Sequence, residues 1–333
     1  MIRRLLALSG PLALSLVSAC ETPSAPREVA RSADAAAPAR SGPLDLMGGG
    51  EGTCEGEAVT LGGQRFLRLT DGSLVTRAPL AVRTGGAARA YHPDGFAAGA
   101  IRHRCNAGEV HLPDGSRYMG GASEAACERF ERDAARIEAA GWTDGSVGAI
   151  RWFGIDAEGS ARVAGRLVPR ARPVVGPDGF YVSRTALRDE DRPAGDPDAS
   201  PDALGVPYAA TRRDQGIALG SHGVAWRVRS CPPGRACEPV PFVVADRAPR
   251  AGAGSIALAR RTSGLPEPEG LSRRTRYRGQ TDAPDLLTVF FAGEGAPFDV
   301  GTAEGDAEAA FAAWGGRERL LACRRVFVPT LNE

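Results

Sequence analysis

From residue 53 onward the chain is a succession of short apolar runs set between turn-forming residues. They fall at 64–69, 80–82, 149–155, 166–168, 179–183, 217–219, 224–228, 240–244 and 286–291. Runs of this length, bounded by Gly, Pro, Asn and Asp, read as β-strands. Helical periodicity is confined to three stretches. Residues 122–140 combine strong helix formers with a stop at Gly141; 255–261 begin at Ser255, an N-cap residue type; 307–314 end at Gly315 and Gly316. Many short strands and few helices predict a mainly β domain, a barrel or sandwich carrying loop insertions and two or three short helices. The 43 glycines and 25 prolines point the same way.

The first residues have a different pattern. Arg3 and Arg4 precede an apolar run from Leu5 to Val17, which ends in Ser18, Ala19 and Cys20. A basic start, an apolar core too short to span a bilayer and small residues before a cleavage point describe a secretory signal. Cysteine directly after the small residues resembles a bacterial lipobox. Residues 1–19 are then the signal peptide, and Cys20 is the lipidated first residue of the mature chain. Glu21 follows instead of aspartate, so the outer membrane is the favoured address. Residues 20–52, rich in Ala, Pro, Ser and Gly, are too poor in apolar side chains to fold alone and read as a flexible tether of roughly 30 Å. One globular domain is expected over 53–333.

Charge and cysteine content narrow the functions. The 41 basic and 40 acidic residues leave a formal net charge of +1, which gives no global attraction for nucleic acid. Every basic residue is arginine, so Schiff-base chemistry on lysine is excluded. Beyond Cys20 stand Cys54, Cys105, Cys127, Cys231, Cys237 and Cys323, an even set in an exported chain, for which disulfides are the default. Cys231 and Cys237 bracket Pro-Pro-Gly-Arg-Ala and are expected to pair across that turn; the other pairings stay open. His103, Cys105 and His111 lie close in sequence but lack a CxxC pair, so no metal is expected. Neither a Walker nor a dinucleotide motif stands at a strand–helix junction, and no cofactor is expected.

A set of motifs in order along residues 60–320 resembles the glycoside hydrolase family 75 domain, whose characterised members are chitosanases. Gly179-Phe180-Tyr181-Val182-Ser183 with Thr185-Ala186-Leu187 is similar to the family's GFYVSTTSL, and Val206-Pro207-Tyr208 to its VPYIV. The most specific block runs from Pro241 to Pro249 (PFVVADRAP) and continues in Gly254-Ser255-Ile256-Ala257-Leu258-Ala259. Ala90-Tyr91-His92-Pro93, Trp152-Phe153-Gly154-Ile155, Thr288-Val289-Phe290-Phe291 and Trp314-Gly315-Gly316 add weaker matches. The resemblance implies a six-stranded, double-psi-like β-barrel and a cleft for a β-linked amino-sugar polymer. It also implies a catalytic aspartate at Asp246, with Arg247, His92, Tyr181 and Ser255 as substrate-binding candidates.

Inverting glycoside hydrolysis needs two carboxyl groups about 6.5–9.5 Å apart, one protonated and one ionised. Asp246 can serve as one. The family's glutamate falls on Ala253, and an acidic turn of the family falls on Val82-Arg83-Thr84-Gly85-Gly86, where an arginine stands instead. Asp156 and Glu158 are the candidate replacements, with Glu238, Asp191 and Glu294 behind them. The acidic segment 189–202 is a solvated loop that could draw a cationic polymer if it borders the cleft. The expected function is therefore an envelope lipoprotein that binds a chitosan- or peptidoglycan-type polysaccharide and hydrolyses it weakly at most. The alternative is a structural or interaction lipoprotein without enzymatic activity. Replacing Cys20 by alanine should move the chain from the membrane to the soluble fraction on cell fractionation; retention in the membrane would contradict the lipobox.

Overall fold

The computed structural model describes residues 54–193, 195–229, 231, 233–249, 252–266 and 284–327. The lipidation site Cys20, the signal peptide and the tether lie outside them. Fourteen strands and four α-helices make up the described residues. In chain order the first half has β1 (Gly56–Leu61), β2 (Gln64–Leu69), β3 (Leu74–Pro79), β4 (Ala81–Arg83), β5 (Gly108–His111), β6 (Arg117–Met119) and α1 (Glu124–Ala139). Then follow β7 (Ala149–Trp152), β8 (Ala157–Val163), β9 (Arg166–Pro173), β10 (Tyr208–Thr211), β11 (His222–Arg227) and β12 (Val240–Arg247). The last elements are β13 (Ala253–Ser255), α2 (Ile256–Arg261), β14 (Asp285–Phe290), α3 (Ala303–Trp314) and α4 (Gly316–Phe327). All belong to one compact unit, Leu46–Glu333.

Nine strands form the main sheet in the order β1-β2-β3-β14-β11-β12-β10-β13-β4. The sheet-dominated fold with few helices is as expected, although the sheet holds nine strands rather than six and the helices number four. Its pairing order is open, with β1 and β4 at the two ends. Only Leu80 separates β3 from β4, so one extended segment pairs with β14 through β3 and with β13 through β4. Side-chain alternation divides the sheet's two faces. Leu286, Phe290, Ala225, Phe242 and Val244 pack with Phe66, Leu80 and Leu258 in one cluster. Leu287, Val289, Val224 and Trp226 point the other way and are covered by Trp314, Leu320 and Cys323 of α3 and α4. The period of two along a pleated strand produces this division.

A second body of structure is inserted between β4 and β10. The sheet β6-β5-β7 carries α1, which buries Phe130, Ala134 and Ile137 at helical spacing. The Ser123 hydroxyl accepts the Ala126 N–H and caps that helix. The hairpin β8–β9 completes the insertion. Trp152 and Tyr181 pack at its centre with Phe130 and Ile155, and the same cluster reaches Val243, Ala245 and Ile256 of the main sheet and α2.

Residues 179–183 and 217–219, expected as strands, do not form them; Tyr181 and Ser183 make only isolated bridges, Tyr181 to Tyr91 and Val175, Ser183 to Ile155. Helix α4 was not expected, because Gly315-Gly316 reads as a stop. Gly315 (φ 114°) and Gly316 (φ 60°) do end α3, but they turn the chain directly into a second helix.

Cys231 and Cys237 are bonded as expected, and the remaining pairs are Cys105–Cys127 and Cys54–Cys323. The last ties the start of the described domain to α4 across 269 residues, whereas Cys231–Cys237 spans 6. Loop-closure entropy grows with the length closed. Removing Cys54 and Cys323 together should cost about 2–5 kcal/mol of unfolding free energy in urea, and more than removing Cys231 and Cys237. Equal losses would contradict the argument.

Candidate functional site

Asp246 sits near the end of β12, beside β10. The parallel register of these strands slips by one residue, with Ala209 opposite Val244 but Ala210 opposite Asp246. The extra residue, Ala245, is a β-bulge, a device that re-aims the side chains after it. The Asp246 carboxylate accepts the Ala186 N–H at 3.1 Å and stands 3.8 Å from the Arg83 guanidinium. Its side chain is 16% exposed. Burial pushes the carboxyl above its ordinary range, and Arg83 and the Ala186 N–H only partly offset that.

The carboxyl opens into a cavity of about 560 Å³. Arg83, Arg102, Arg170, Arg184, Arg213 and Arg247 line it, and among the described residues Asp246 is the only acid that does. They arrive from separate elements: Arg83 from the end of β4, Arg170 from β9, Arg247 from β12, Arg213 from a 3-10 turn, and Arg102 and Arg184 from loops. Tyr91, Phe153, Leu219 and backbone at Gly85 and Gly154 supply the less polar wall. Phe153 is 38% exposed, with the Arg151 guanidinium over its ring at 5.2 Å.

Asp156 explains how several cations stand together. It is 7% exposed and does not line the cavity. One of its oxygens lies 3.4 Å from Arg184 and 3.8 Å from Arg170; the other lies 3.8 Å from Arg188 and accepts the Gly195 N–H at 2.9 Å. Asp156 is thus the counter-ion behind the cleft wall, not a second acid across it. Arg170 still feels its like-charged neighbours. Burial first, and then Arg184, hold its guanidinium down at about 10, against the pull of Asp156. Its Nε is buried without a hydrogen-bond partner. Among the described residues no carboxylate lies within ion-pair distance of Arg102 or Arg213.

The other expected site residues are distributed unevenly. Arg247 is in the cleft, where it donates to Thr211 Oγ1 at 2.7 Å and to the Ile217 carbonyl at 2.8 Å. Ser255 is fully buried and structural: its hydroxyl accepts the Leu258 and Tyr208 N–H groups, capping α2 and fastening it to β10. Tyr181 is a core residue, 1% exposed against Trp152, with Arg104 donating to its hydroxyl. His92 accepts the Asp94 N–H and meets the Phe180 ring edge-on; it does not line the cavity. Glu158 is on the surface beside Arg172. Glu238 pairs with Arg317, Asp191 is exposed in its loop, and Glu294 lines a separate hollow near His222 and Trp314. Ala253 packs with Ala210 and Ala248 and is not among the residues that line this cleft.

The acidic segment 189–202 is likewise not a cleft wall. Asp189, Asp196 and Asp198 gather around Arg192 within the segment itself. The His103, Cys105 and His111 set is not assembled. Cys105 is bonded to Cys127, whose sulfur lies 3.2 Å from His103 Nδ1, and His111 contacts Glu109 at 3.2 Å.

The sequence reasoning missed Arg102, Arg170, Arg184 and Arg213. Arginine is the only cation the chain uses, so no local signal marks the ones that converge. No protein-family model matches the chain, and no curated protein matches it.

The raised Asp246 carboxyl has a consequence for stability. A folded-state value above the unfolded one gives stability that is present at acid pH and lost as pH rises through the folded value. Asp246→Asn, which cannot ionise, should therefore raise the unfolding free energy at pH 7, with the gain vanishing below about pH 3.9. Urea unfolding at the two pH values checks this; a gain of the same size at both would contradict it.

Proposed function

We propose that this chain is an envelope lipoprotein, anchored through a diacylated Cys20 with the outer membrane favoured, whose chitosanase-like domain binds an anionic amino-sugar glycan of the peptidoglycan type without turning it over. The observation that carries this reading is the cleft in which six arginines face one carboxyl.

Hydrolysis with inversion needs a second carboxyl at about 6.5–9.5 Å, and the lining residues offer none. Loss of one member of an acid–base pair removes ~10²–10⁴ in rate. What Asp246 retains is a largely buried carboxyl able to hydrogen-bond a sugar hydroxyl. Phe153 presents an apolar face suited to a sugar ring. The arginines choose among glycans by charge. Chitosan carries ammonium groups and would be repelled at neutral pH, whereas a glycan bearing carboxylates would be held by guanidinium forks.

The double-psi-like barrel belongs to the same proposal. The segment made of β3 and β4 pairs on both its sides, so β3/β4, β14, β11, β12, β10 and β13 can be followed as a ring of six, with β1 and β2 added at β3. Support also comes from the apolar cluster on one face of these strands.

Sedimentation of the purified full chain with insoluble peptidoglycan and with chitosan at pH 7, alongside a reducing-sugar assay, tests the reading. Binding to peptidoglycan alone, with no sugar released, is expected. Release that disappears in Asp246→Asn would make the protein a hydrolase. Binding to neither polymer would favour the structural or interaction lipoprotein.

A further inference from the structure

The arginine cleft holds more positive charge than a glycan's isolated carboxylates need. Arg170 and Arg184 converge on one oxygen of Asp156, and Arg188 stands at the other, so a single buried carboxylate is shared by three guanidiniums. In the same cleft the Asp246 carboxyl, raised by burial, accepts the Ala186 N–H and stands 3.8 Å from Arg83. Arg102 and Arg213 have no ion-pair partner among the described residues, and the Nε of Arg170 is a buried donor without an acceptor. Clustered cations left short of counter-charge in a concave, partly desolvated site repel one another, and a ligand that brings dense negative charge relieves that repulsion.

A carboxylate brings one charge and a planar pair of oxygens. A phosphomonoester brings about −1.5 to −2 at pH 7 and three acceptor oxygens arranged tetrahedrally. Guanidiniums reach the cavity from β4, β9, β12 and three further segments, one of them the 3-10 turn that begins at Arg213. Such convergence suits a tetrahedral anion, which arginine forks bind from several directions at once. Phe153, exposed beside the cations, leaves room for a sugar ring next to the phosphoryl group.

We infer that the cleft is a phosphosugar site: its ligand is a saccharide carrying a phosphoryl group, held by Arg170, Arg184 and Arg213 with Asp246 on a sugar hydroxyl. The inference rests on the glycan-binding reading and names the chemical group that the cleft selects. That phosphoryl group can come from a sugar phosphomonoester, soluble or polymer-borne, or from a lipid whose polyol headgroup carries a phosphomonoester. The two sources share the same charge chemistry.

Calorimetric titration of the purified full chain at physiological ionic strength distinguishes them. The probes are N-acetylglucosamine 6-phosphate, glucuronate and monomeric dihexanoyl phosphatidylinositol 4-phosphate, whose headgroup carries a phosphomonoester. At least one phosphorylated probe should bind ten times or more tightly than glucuronate, and the tighter of the two identifies the source. Arg184→Ala should weaken that binding about tenfold or more. Arg213→Ala should do the same, and since Arg213 is exposed, its loss leaves the fold intact. Arg172→Ala, a surface change beside Glu158, should leave it unaltered. Glucuronate binding as tightly as both phosphorylated probes would overturn the inference, as would phosphate affinity that ignores Arg184 and Arg213. If peptidoglycan sediments the chain in either case, the glycan reading survives and only its phosphoryl specificity fails. No binding to any probe or to peptidoglycan removes both.

Discussion

Three guanidiniums cannot stand within a few ångströms of one another inside a wall of packed protein unless something of opposite charge lies between them. Asp156 is that something. It is buried at the junction of the β8–β9 hairpin, the loop that carries Arg184 and Arg188, and the segment whose Gly195 N–H it accepts. Removing one partner from such a buried cluster typically costs several kcal/mol, because the charges left behind are uncompensated. The geometry that turns Arg170 and Arg184 toward the cleft therefore depends on a carboxylate that does not line it. The rest of the site is arranged around this anchor: the bulge at Ala245 aims Asp246 at the same space, and β4 ends with Arg83 beside it.

The cleft consequently combines two opposed tendencies. Asp246 is desolvated enough to be raised toward protonation, as a general acid would be. The groups around it are cations, which favour its ionised form and exclude a cationic substrate. An acid without an acidic partner, set among arginines, is poorly suited to glycoside hydrolysis and well suited to holding an anion. The Cys105–Cys127 bond sits next to Asn106 and Ala107, which line the cleft, so part of the preorganisation is covalent.

Much of the scaffold was legible in the sequence. The run at 64–69 coincides with β2, and the runs at 240–244 and 286–291 fall on β12 and β14, because half-buried strands declare themselves by apolar alternation and turn residues. Gly141 and Ser255 marked helix ends by their capping chemistry, whereas the Ser123 cap of α1 emerged only in the structure. The Gly179–Ser183 motif misled in its detail: its apolar residues are buried, but in an irregular segment where Tyr181 and Phe180 fill core instead of facing a ligand. The site itself was half legible. Asp246 and Arg247 followed from one contiguous motif, whereas the other cations come together only when β4, β9 and distant loops fold onto each other. Asp156 was noticed as a candidate acid, but its burial beneath three arginines is a tertiary fact that no spacing encodes.

Under the proposed function, the arginine charge of the cleft governs what the protein binds. The most direct measurement of this is the affinity of the full chain for soluble peptidoglycan fragments as sodium chloride rises from 50 to 500 mM. Screening shortens the reach of exposed charges from roughly a Debye length of 10 Å at 0.1 M toward 3 Å at 1 M. The account predicts a steep, continuous loss of affinity across that range. Affinity that stays level with salt would contradict it.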